Sequence, residues 1–453
     1  MQPMEPGKTS LRVAFLSEHA SPLALRGSVD SGGQNVYVDE VSRNLAQLGQ
    51  GIAVDVFTRR DDPALPEVVA WAPGVRVVHL TAGPARFLPK DDLWPLMPRF
   101  RDSFLRFVAR ERLRYDVIHG NFWMSGWVAA ELRARLGVPV VQIFHAMGKT
   151  KRRHQGAADT SPDGRIAVEV QVIRGVDRLI AQCPAEQHEL VGDYGADPAQ
   201  VVVIPSAVNT ETFRPLPRDE ARRAICLEAD DPLVVYVGRM LPRKDVRNGV
   251  RGLAAYIRDY EVADDIGRVR LLLVGGESET PDPQATPEIG ELQRLAGELG
   301  VLDRLIFTGK RQADKLRFYY DAGDVAVTTP WYEPFGLTPL EGQACGRPVI
   351  GSAVGGITYT IQHGRTGLLV PPRDPEALAA ALRALLRDPA RRERMGRAAR
   401  ARVEREFTWA TVARRTAALY RELLSGDVTR PRVAMDAPPP AVEMPQLEEV
   451  MGG

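Results

Sequence analysis

A chain of 453 residues is too long to fold around one core, and its 44% hydrophobic content is that of a globular protein, so two domains of roughly 200 residues each are expected. Lys plus Arg is 59 and Asp plus Glu is 58, a net charge of +1 that excludes a general attraction to nucleic acid or to anionic lipid. Three cysteines, Cys183, Cys226 and Cys345, lie outside any C-x2-C or His pairing; they exclude a disulfide framework and a zinc site and are expected to be small buried apolar residues.

Residues 1–10 carry no apolar stretch and are expected to be disordered. No later run approaches the length of a membrane span, so a cytoplasmic location is expected. Apolar strand-like runs then alternate with helical stretches at 11–16, 51–58, 75–81, 116–119, 138–145 and 178–182, which is the pattern of a doubly wound parallel sheet. After the first of them, Ser31-Gly32-Gly33-Gln34-Asn35 opens a helix marked by Val38, Val41, Leu45 and Leu48. Such a glycine loop lets backbone approach a phosphate or sugar at a helix N-terminus, although it is also an ordinary structural turn. No G-x-G-x-x-G occurs, which counts against a dinucleotide oxidoreductase.

Further along, His145 ends an apolar strand and His119 ends the strand before it; a histidine at such a place is structural or faces a ligand. The basic run Lys149 to Arg153 reads as a solvated loop, and Arg165 opens the helix after the loop 156–164. The Pro-rich stretch 205–217 reads as an extended linker, giving a first domain of 11–207. A second strand series at 233–238, 269–275, 304–308, 324–329, 349–350 and 367–370 defines a domain of 208–407. Its first strand is followed by Arg239 and Lys244, cations five positions apart that suit a diphosphate or form a solvated basic turn. Helices follow at 376–387, 390–407 and 411–424, the last assigned to a crossover segment 408–425, and residues 426–453 are expected to be a disordered tail. No internal repeat is visible, and no feature specifies an oligomeric state.

The richest segment is Glu333-Pro334-Phe335-Gly336-Leu337-Thr338-Pro339-Leu340-Glu341, between a β-branched strand and a helix. A wholly helical stretch would hold its two carboxylates ~12 Å apart, too far for a glycosidase acid and nucleophile. A diphosphate fits instead, on the free N–H groups of Gly336, Leu337 and Thr338. Each glutamate is then left to accept hydroxyls. Taken alone, two glutamates at this spacing also describe a solvated helix face.

With the other motifs in the same order, the chain from Leu11 to Leu424 resembles the retaining family-four glycosyltransferases of GT-B fold. That resemblance implies two Rossmann-like, doubly wound α/β domains facing a central crevice. It assigns the diphosphate of a sugar nucleotide to Arg239, Lys244 and Gly33, and places Phe335, Gly336, Leu337 and Thr338 around the donor. Glu333 takes the donor sugar, Glu341 the ribose, and the backbone of Gly309-Lys310-Arg311 the nucleobase. His145 contacts the sugar's hydroxyls and supports catalysis together with Glu333, Arg239 and Lys244, with His119 behind it. The implied reaction moves a hexose from a nucleoside diphosphate sugar, UDP-glucose being the first guess, by same-face attack in which the leaving phosphate helps deprotonate the acceptor. Metal-dependent GT-A transferases carry a D-x-D motif. None occurs here, so no metal or other cofactor is expected.

The stretch Leu88-Pro89-Lys90 through Pro95, the pair His119-Gly120, and Ala146-Met147-Gly148-Lys149 resemble sucrose-phosphate synthases. Leu-Pro-Lys and the neighbourhood of Trp123 to Gly126 are shared with inositol-phosphate glycosyltransferases. Both imply a small phosphorylated sugar or polyol as acceptor, met by Gly32, Gln34, Asn35, Lys90, Asn121, Lys149 and Arg165, with an ordinary surface role open for Arg165. Ala146 and Phe122 stand where the second group has a small polar residue and a tyrosine that hold inositol phosphate, a departure that counts against that exact acceptor. A nucleotide-sugar epimerase and a non-catalytic sugar-nucleotide-binding subunit are the alternatives.

Overall fold

The computed structural model describes residues 11–24, 32–156, 159–227 and 230–426. The expectations for 1–10, for Ser31 and for 427–453 lie outside the described residues. The chain divides into two compact units, one built from 1–180, 190–202 and 413–453 and the other from 181–189 and 203–412.

The first unit contains β1 (Leu11–Leu16), β2 (Ile52–Arg59), β3 (Val68–Ala72), β4 (Val75–Leu80), β5 (Val117–Asn121), β6 (Val140–Ile143), β7 (Arg178–Ala181) and β8 (Val201–Val203) in the order β3-β4-β2-β1-β5-β6-β7-β8. The pairs β1–β2, β1–β5, β2–β4, β5–β6 and β6–β7 are parallel, and β3 is an antiparallel edge on β4. Strands β3 and β8 were not marked by the sequence pattern. β3 is short and half exposed, with no clean alternation to reveal it.

The second unit holds β9 (Leu233–Val237), β10 (Arg270–Val274), β11 (Leu305–Gly309), β12 (Val325–Thr328), β13 (Val349–Ser352) and β14 (Gly367–Val370), in the order β11-β10-β9-β12-β13-β14 and paired in parallel throughout. Its strands read as unbroken apolar runs because both faces are covered. Val234, Tyr236, Leu271, Leu273, Val325 and Val327 enter one core, while Leu233, Val235, Val237, Leu272, Val274 and Ala326 enter the other. Each such leucine or valine contributes on the order of 1.5–3 kcal/mol by leaving water. On one face the helices Val246–Tyr256 and Pro375–Leu386 pack so closely that a Cβ on Gly252 would stand 2.5 Å from Leu378.

In each sheet the strand order reverses beside the first strand of the unit, between β1 and β5 and between β9 and β12. Chains leaving the carboxyl ends of the two strands diverge to opposite faces at such a point, and the notch there is where open α/β sheets take their ligands. Among the described residues no helix is long and apolar enough to cross a membrane. Of the cysteines, Cys183 and Cys345 are buried as expected, but Cys226 is exposed, on a tight turn with φ of 56°.

Candidate active site

At the β9/β12 notch two loops are stitched together by their backbones. β9 runs into Gly238 and Arg239, then a single 3-10 turn, Pro242–Lys244, that ends on Asp245 in left-handed conformation (φ 47°). The Thr329 hydroxyl donates to the Asp245 carbonyl at 2.8 Å, and the Trp331 N–H donates to the Arg243 carbonyl at 3.0 Å. This stitching sets the Lys244 ammonium against the Glu333 carboxylate in an ion pair whose side chains are only 14% and 16% exposed. Arg239, by contrast, is exposed, and its guanidinium makes no hydrogen bond or ion pair among the described residues.

Glu333 is held from behind as well. The Gly356 N–H donates to its carbonyl at 3.0 Å, and Gly355 lies so close that a Cβ there would stand 2.2 Å from the same oxygen. The chain then turns at Gly336, whose φ of 97° favours glycine, and enters the helix Leu337–Ala344. The N–H groups of Gly336, Leu337 and Thr338 donate no hydrogen bond among the described residues, and position three is Pro339, which has no N–H to offer. Phe335 does not line this opening with its ring. It is buried and packs 6.3 Å from the Phe407 ring, anchoring the loop.

One turn into the helix, Glu341 accepts a hydrogen bond from the Tyr320 hydroxyl at 2.8 Å. Burial pushes its carboxyl up to about 7, against the opposing pull of the Tyr320 hydrogen bond and of the Lys244 charge. If Glu341 is to accept two ribose hydroxyls it must be ionised, since a protonated carboxyl gives up one acceptor for a donor. The donor KM is therefore expected to rise as pH falls from 8 to 6, and Glu341→Gln to flatten that dependence. Equal pH dependence of the donor KM in the variant and the native chain would remove Glu341 from this role.

The expected nucleobase segment is laced internally. Lys310 N–H donates to the Ser278 carbonyl at 2.7 Å, and the Gly309 carbonyl accepts from Gly275 N–H at 3.0 Å. The guanidinium of Arg311 donates to the Tyr319 hydroxyl at 2.6 Å and to the Glu279 carbonyl at 2.6 Å, so it pins the 278–279 loop.

In the first unit, the β1/β5 notch is flanked by His145, which follows β6 with φ of 61°, a conformation that strains a non-glycine residue. The amide nitrogen of Asn121 faces the carbonyls of Leu16 and His119 at 3.3 and 3.4 Å, which turns its oxygen to His145 Nε2 at 3.1 Å. Nε2 therefore carries the hydrogen, and Nδ1 presents a lone pair. Burial, helped by His119 and His19, lowers His145 to about 3, so the ring is neutral at physiological pH. His119 is fully buried, with Nδ1 2.6 Å from the Tyr420 hydroxyl.

Three of the residues expected at the acceptor are used otherwise. Asn121 is wholly buried and holds His145. Arg165 is 3% exposed, donating to Glu169 at 2.8 Å, to Ser161 at 3.1 Å and to the Ala146 carbonyl at 2.6 Å; Glu169 in turn accepts from Gly148 N–H at 3.0 Å, so the pair braces the turn that carries His145. Lys149 donates to the Asp193 carbonyl, with its ammonium 4.7 Å from the Tyr194 ring centroid. Nor is the basic run a loop: Gly148–Gln155 is helical, with Lys151 on Asp159 at 2.9 Å and Arg153 on Asp193 at 2.8 Å.

Gly32 N–H donates to Asn35 Oδ1 at 3.1 Å, so Asn35 is spent as a cap, while Gly33 starts the helix Gly33–Gln47 and Gln34 reaches the Ser17 hydroxyl at 3.3 Å. Lys90 lies half-buried on a short turn, and its ammonium has no partner among the described residues. Sequence reasoning passed over Tyr320, Gly355 and Gly356. Of these only the Gly-Gly pair left a readable signal.

Residues 31–212 match the family model described as Glycosyltransferase Family 4, and residues 217–402 match that described as Glycosyl transferases group 1. D-inositol 3-phosphate glycosyltransferase of Kineococcus radiotolerans is 41% identical over 421 residues, covering 90% of this chain and 95% of the relative. Among solved structures, sucrose-phosphate synthase from Thermosynechococcus elongatus is 36% identical with a TM-score of 0.78, covering 92% of this chain and all of that one. HepE of Anabaena, solved with UDP-glucose, is 20% identical with a TM-score of 0.66 over 91% of this chain and all of its own, and shares the fold.

Proposed function

The chain belongs to the family-four glycosyltransferases of GT-B fold, and on that premise we propose that it moves a hexose, with retention at the anomeric carbon, from a nucleoside diphosphate sugar to a small phosphorylated sugar or polyol. The observation that carries the reading is the Lys244–Glu333 ion pair beside the unbonded N–H groups that open the helix at Leu337. A diphosphate there meets the helix N-terminus, Lys244 and the exposed Arg239. Its negative charge draws Lys244 toward phosphate and leaves the Glu333 carboxylate to the sugar's hydroxyls. Glu341 takes the ribose.

Cations and helix termini of this kind stabilise the charge that grows on a departing nucleoside diphosphate without a metal ion. The leaving phosphate, on the same face of the sugar as the incoming hydroxyl, accepts its proton. For the acceptor, two similar proteins are named for phosphorylated compounds, inositol 3-phosphate and sucrose phosphate, and of the cations expected at the acceptor Lys90 is one with no partner among the described residues, able to meet such a phosphate.

The test is a matrix of nucleoside diphosphate hexoses, UDP-glucose first, against fructose 6-phosphate, inositol phosphate and their unphosphorylated parents, run in EDTA with the product's anomeric configuration read by NMR. Transfer to a phosphorylated acceptor with retention is expected, and Lys90→Ala should raise that acceptor's KM. Equal use of the unphosphorylated parents with an unchanged KM in Lys90→Ala would refute the phosphate; activity lost in EDTA and restored by Mg²⁺ would refute the metal-free site.

A further inference from the structure

Arg59 closes β2 at the carboxyl edge of the first sheet, where its N–H donates to the Glu18 carbonyl at 3.0 Å and that of Arg60 donates to the Leu80 carbonyl at 2.9 Å. The residue is only 4% exposed. One guanidinium nitrogen donates to the Pro84 carbonyl at 2.7 Å and to the Arg60 carbonyl at 3.3 Å, and another donates to the Arg86 carbonyl at 2.5 Å. No carboxylate pairs with this cation among the described residues. Burial lowers its proton affinity, and the charge of Asp61 opposes that.

The segment it grips, 81–89, follows β4 and leads to Lys90. Its start is anchored, since Ala82 is buried and the Ser103 hydroxyl donates to the Thr81 carbonyl at 2.6 Å. Beyond its end, Thr160 ties the turn Lys90–Asp92 by donating to Asp91 at 2.8 Å. In between, Pro84, Arg86, Phe87 and Pro89 are exposed, and neither proline has an N–H to donate. Across 81–88 the one backbone hydrogen bond among the described residues runs from Arg86 N–H to the Pro84 carbonyl at 2.9 Å. A guanidinium taken from water costs free energy that uncharged carbonyls return only in part. Such a cost beneath an exposed loop is explained if the loop's position matters just past it, where the Lys90 ammonium stands without a partner among the described residues. The planar fork suits the task, because it holds carbonyls two residues apart at once, which a lysine's point charge does not reproduce.

We propose that Arg59 is a positioning residue for the acceptor: by holding the Pro84 and Arg86 carbonyls it fixes the loop that presents Lys90, and so sets the affinity for the acceptor's phosphate. This rests on the reading of Lys90 above. Arg59 touches no substrate. Its effect is that the loop is ordered before the acceptor arrives, so that binding does not bear the entropy of ordering it.

The experiment compares the native chain, Arg59→Met, which keeps the apolar stem and removes the fork, and Arg59→Lys, each alone and combined with Lys90→Ala. Acceptors are fructose 6-phosphate, inositol phosphate and their unphosphorylated parents. Arg59→Met is expected to raise KM for the phosphorylated acceptor ~10-fold, the scale of an ordering cost moved into binding, with kcat and the donor Kd near native and the parents' KM unmoved. Arg59→Lys should fall between. In the Lys90→Ala background Arg59→Met should raise KM no further, since two residues acting through one contact are not additive. Hydrogen exchange of the full-length chain should show the amides of 85–93 exchanging faster in Arg59→Met. An unchanged KM, an equal rise for the unphosphorylated parents, or a further rise on top of Lys90→Ala overturns the proposal; should Arg59→Met fail to fold by circular dichroism, the same outcomes are read on Arg59→Lys. If Lys90→Ala itself leaves the acceptor KM unchanged, the phosphate reading falls and this role with it, while the exchange at 85–93 separately decides whether Arg59 holds the loop.

Discussion

Replacing Glu333 by glutamine is expected to lower kcat by ~10²-fold or more while leaving donor affinity equal or tighter. The reason lies in the ion pair with Lys244. On the proposed reading an incoming phosphate shares the ammonium with Glu333, so removing the carboxylate's charge should release Lys244 to the diphosphate and not weaken ground-state binding. What should be lost on that reading is the anion facing the sugar as positive character builds at the anomeric carbon, an interaction that strengthens toward the transition state and so appears in kcat. Steady-state kinetics together with donor Kd by calorimetry separate the two. A folded Glu333→Gln protein with native kcat would sink the role, and a matching loss in Kd and kcat would make Glu333 a binding residue only.

How much of this was legible in the sequence depended on whether the physics was local. The parallel strands are apolar on both faces, so Leu11–Leu16 and Gly367–Val370 could be read residue for residue, and the strand, loop and helix around Glu333 likewise. Burial of charge was not local. Arg165 has Glu169 within reach four positions on, but the burial of that pair against the Ala146 carbonyl, 19 positions away, is not written in the local sequence, and Lys149 needs Asp193, 44 positions on. Gly148–Gln155 has no apolar stripe to betray a helix, and its cations are paired with carboxylates contributed by other segments. The meeting of Lys244 and Glu333, 89 positions apart, follows only from the strand order that sets β9 beside β12.

That same strand order makes the back of the Glu333 loop a place where a single methyl group harms the site. Gly356 has an ordinary φ of −66°, so alanine there carries no backbone strain of its own, but its Cβ would stand 2.3 Å from both the Cα and the carbonyl oxygen of Phe335. Those are backbone atoms, and no rotamer change relieves the overlap. Either the 355–356 turn or the 333–336 loop must retreat until the contact exceeds about 3 Å, and the turn is held by the hydrogen bond from Gly356 N–H to Glu333. Moving the loop displaces Glu333 from Lys244 and tilts the N–H groups of Gly336, Leu337 and Thr338 together. A displacement on the order of 1 Å in a positioning element costs ~10²-fold in rate. Gly356→Ala should therefore be crippled in turnover and in donor affinity together, unlike Glu333→Gln, with circular dichroism showing a folded chain. Gly364→Ala is the control: its φ of 77° imposes strain of roughly 1–2 kcal/mol on an L-residue, but a Cβ there meets nothing within 4 Å, so it should lower the melting temperature and spare kcat. If Gly356→Ala turns over as fast as Gly364→Ala, the loop is not held from behind as described, and the donor site must owe its geometry to Phe335 and the helix alone.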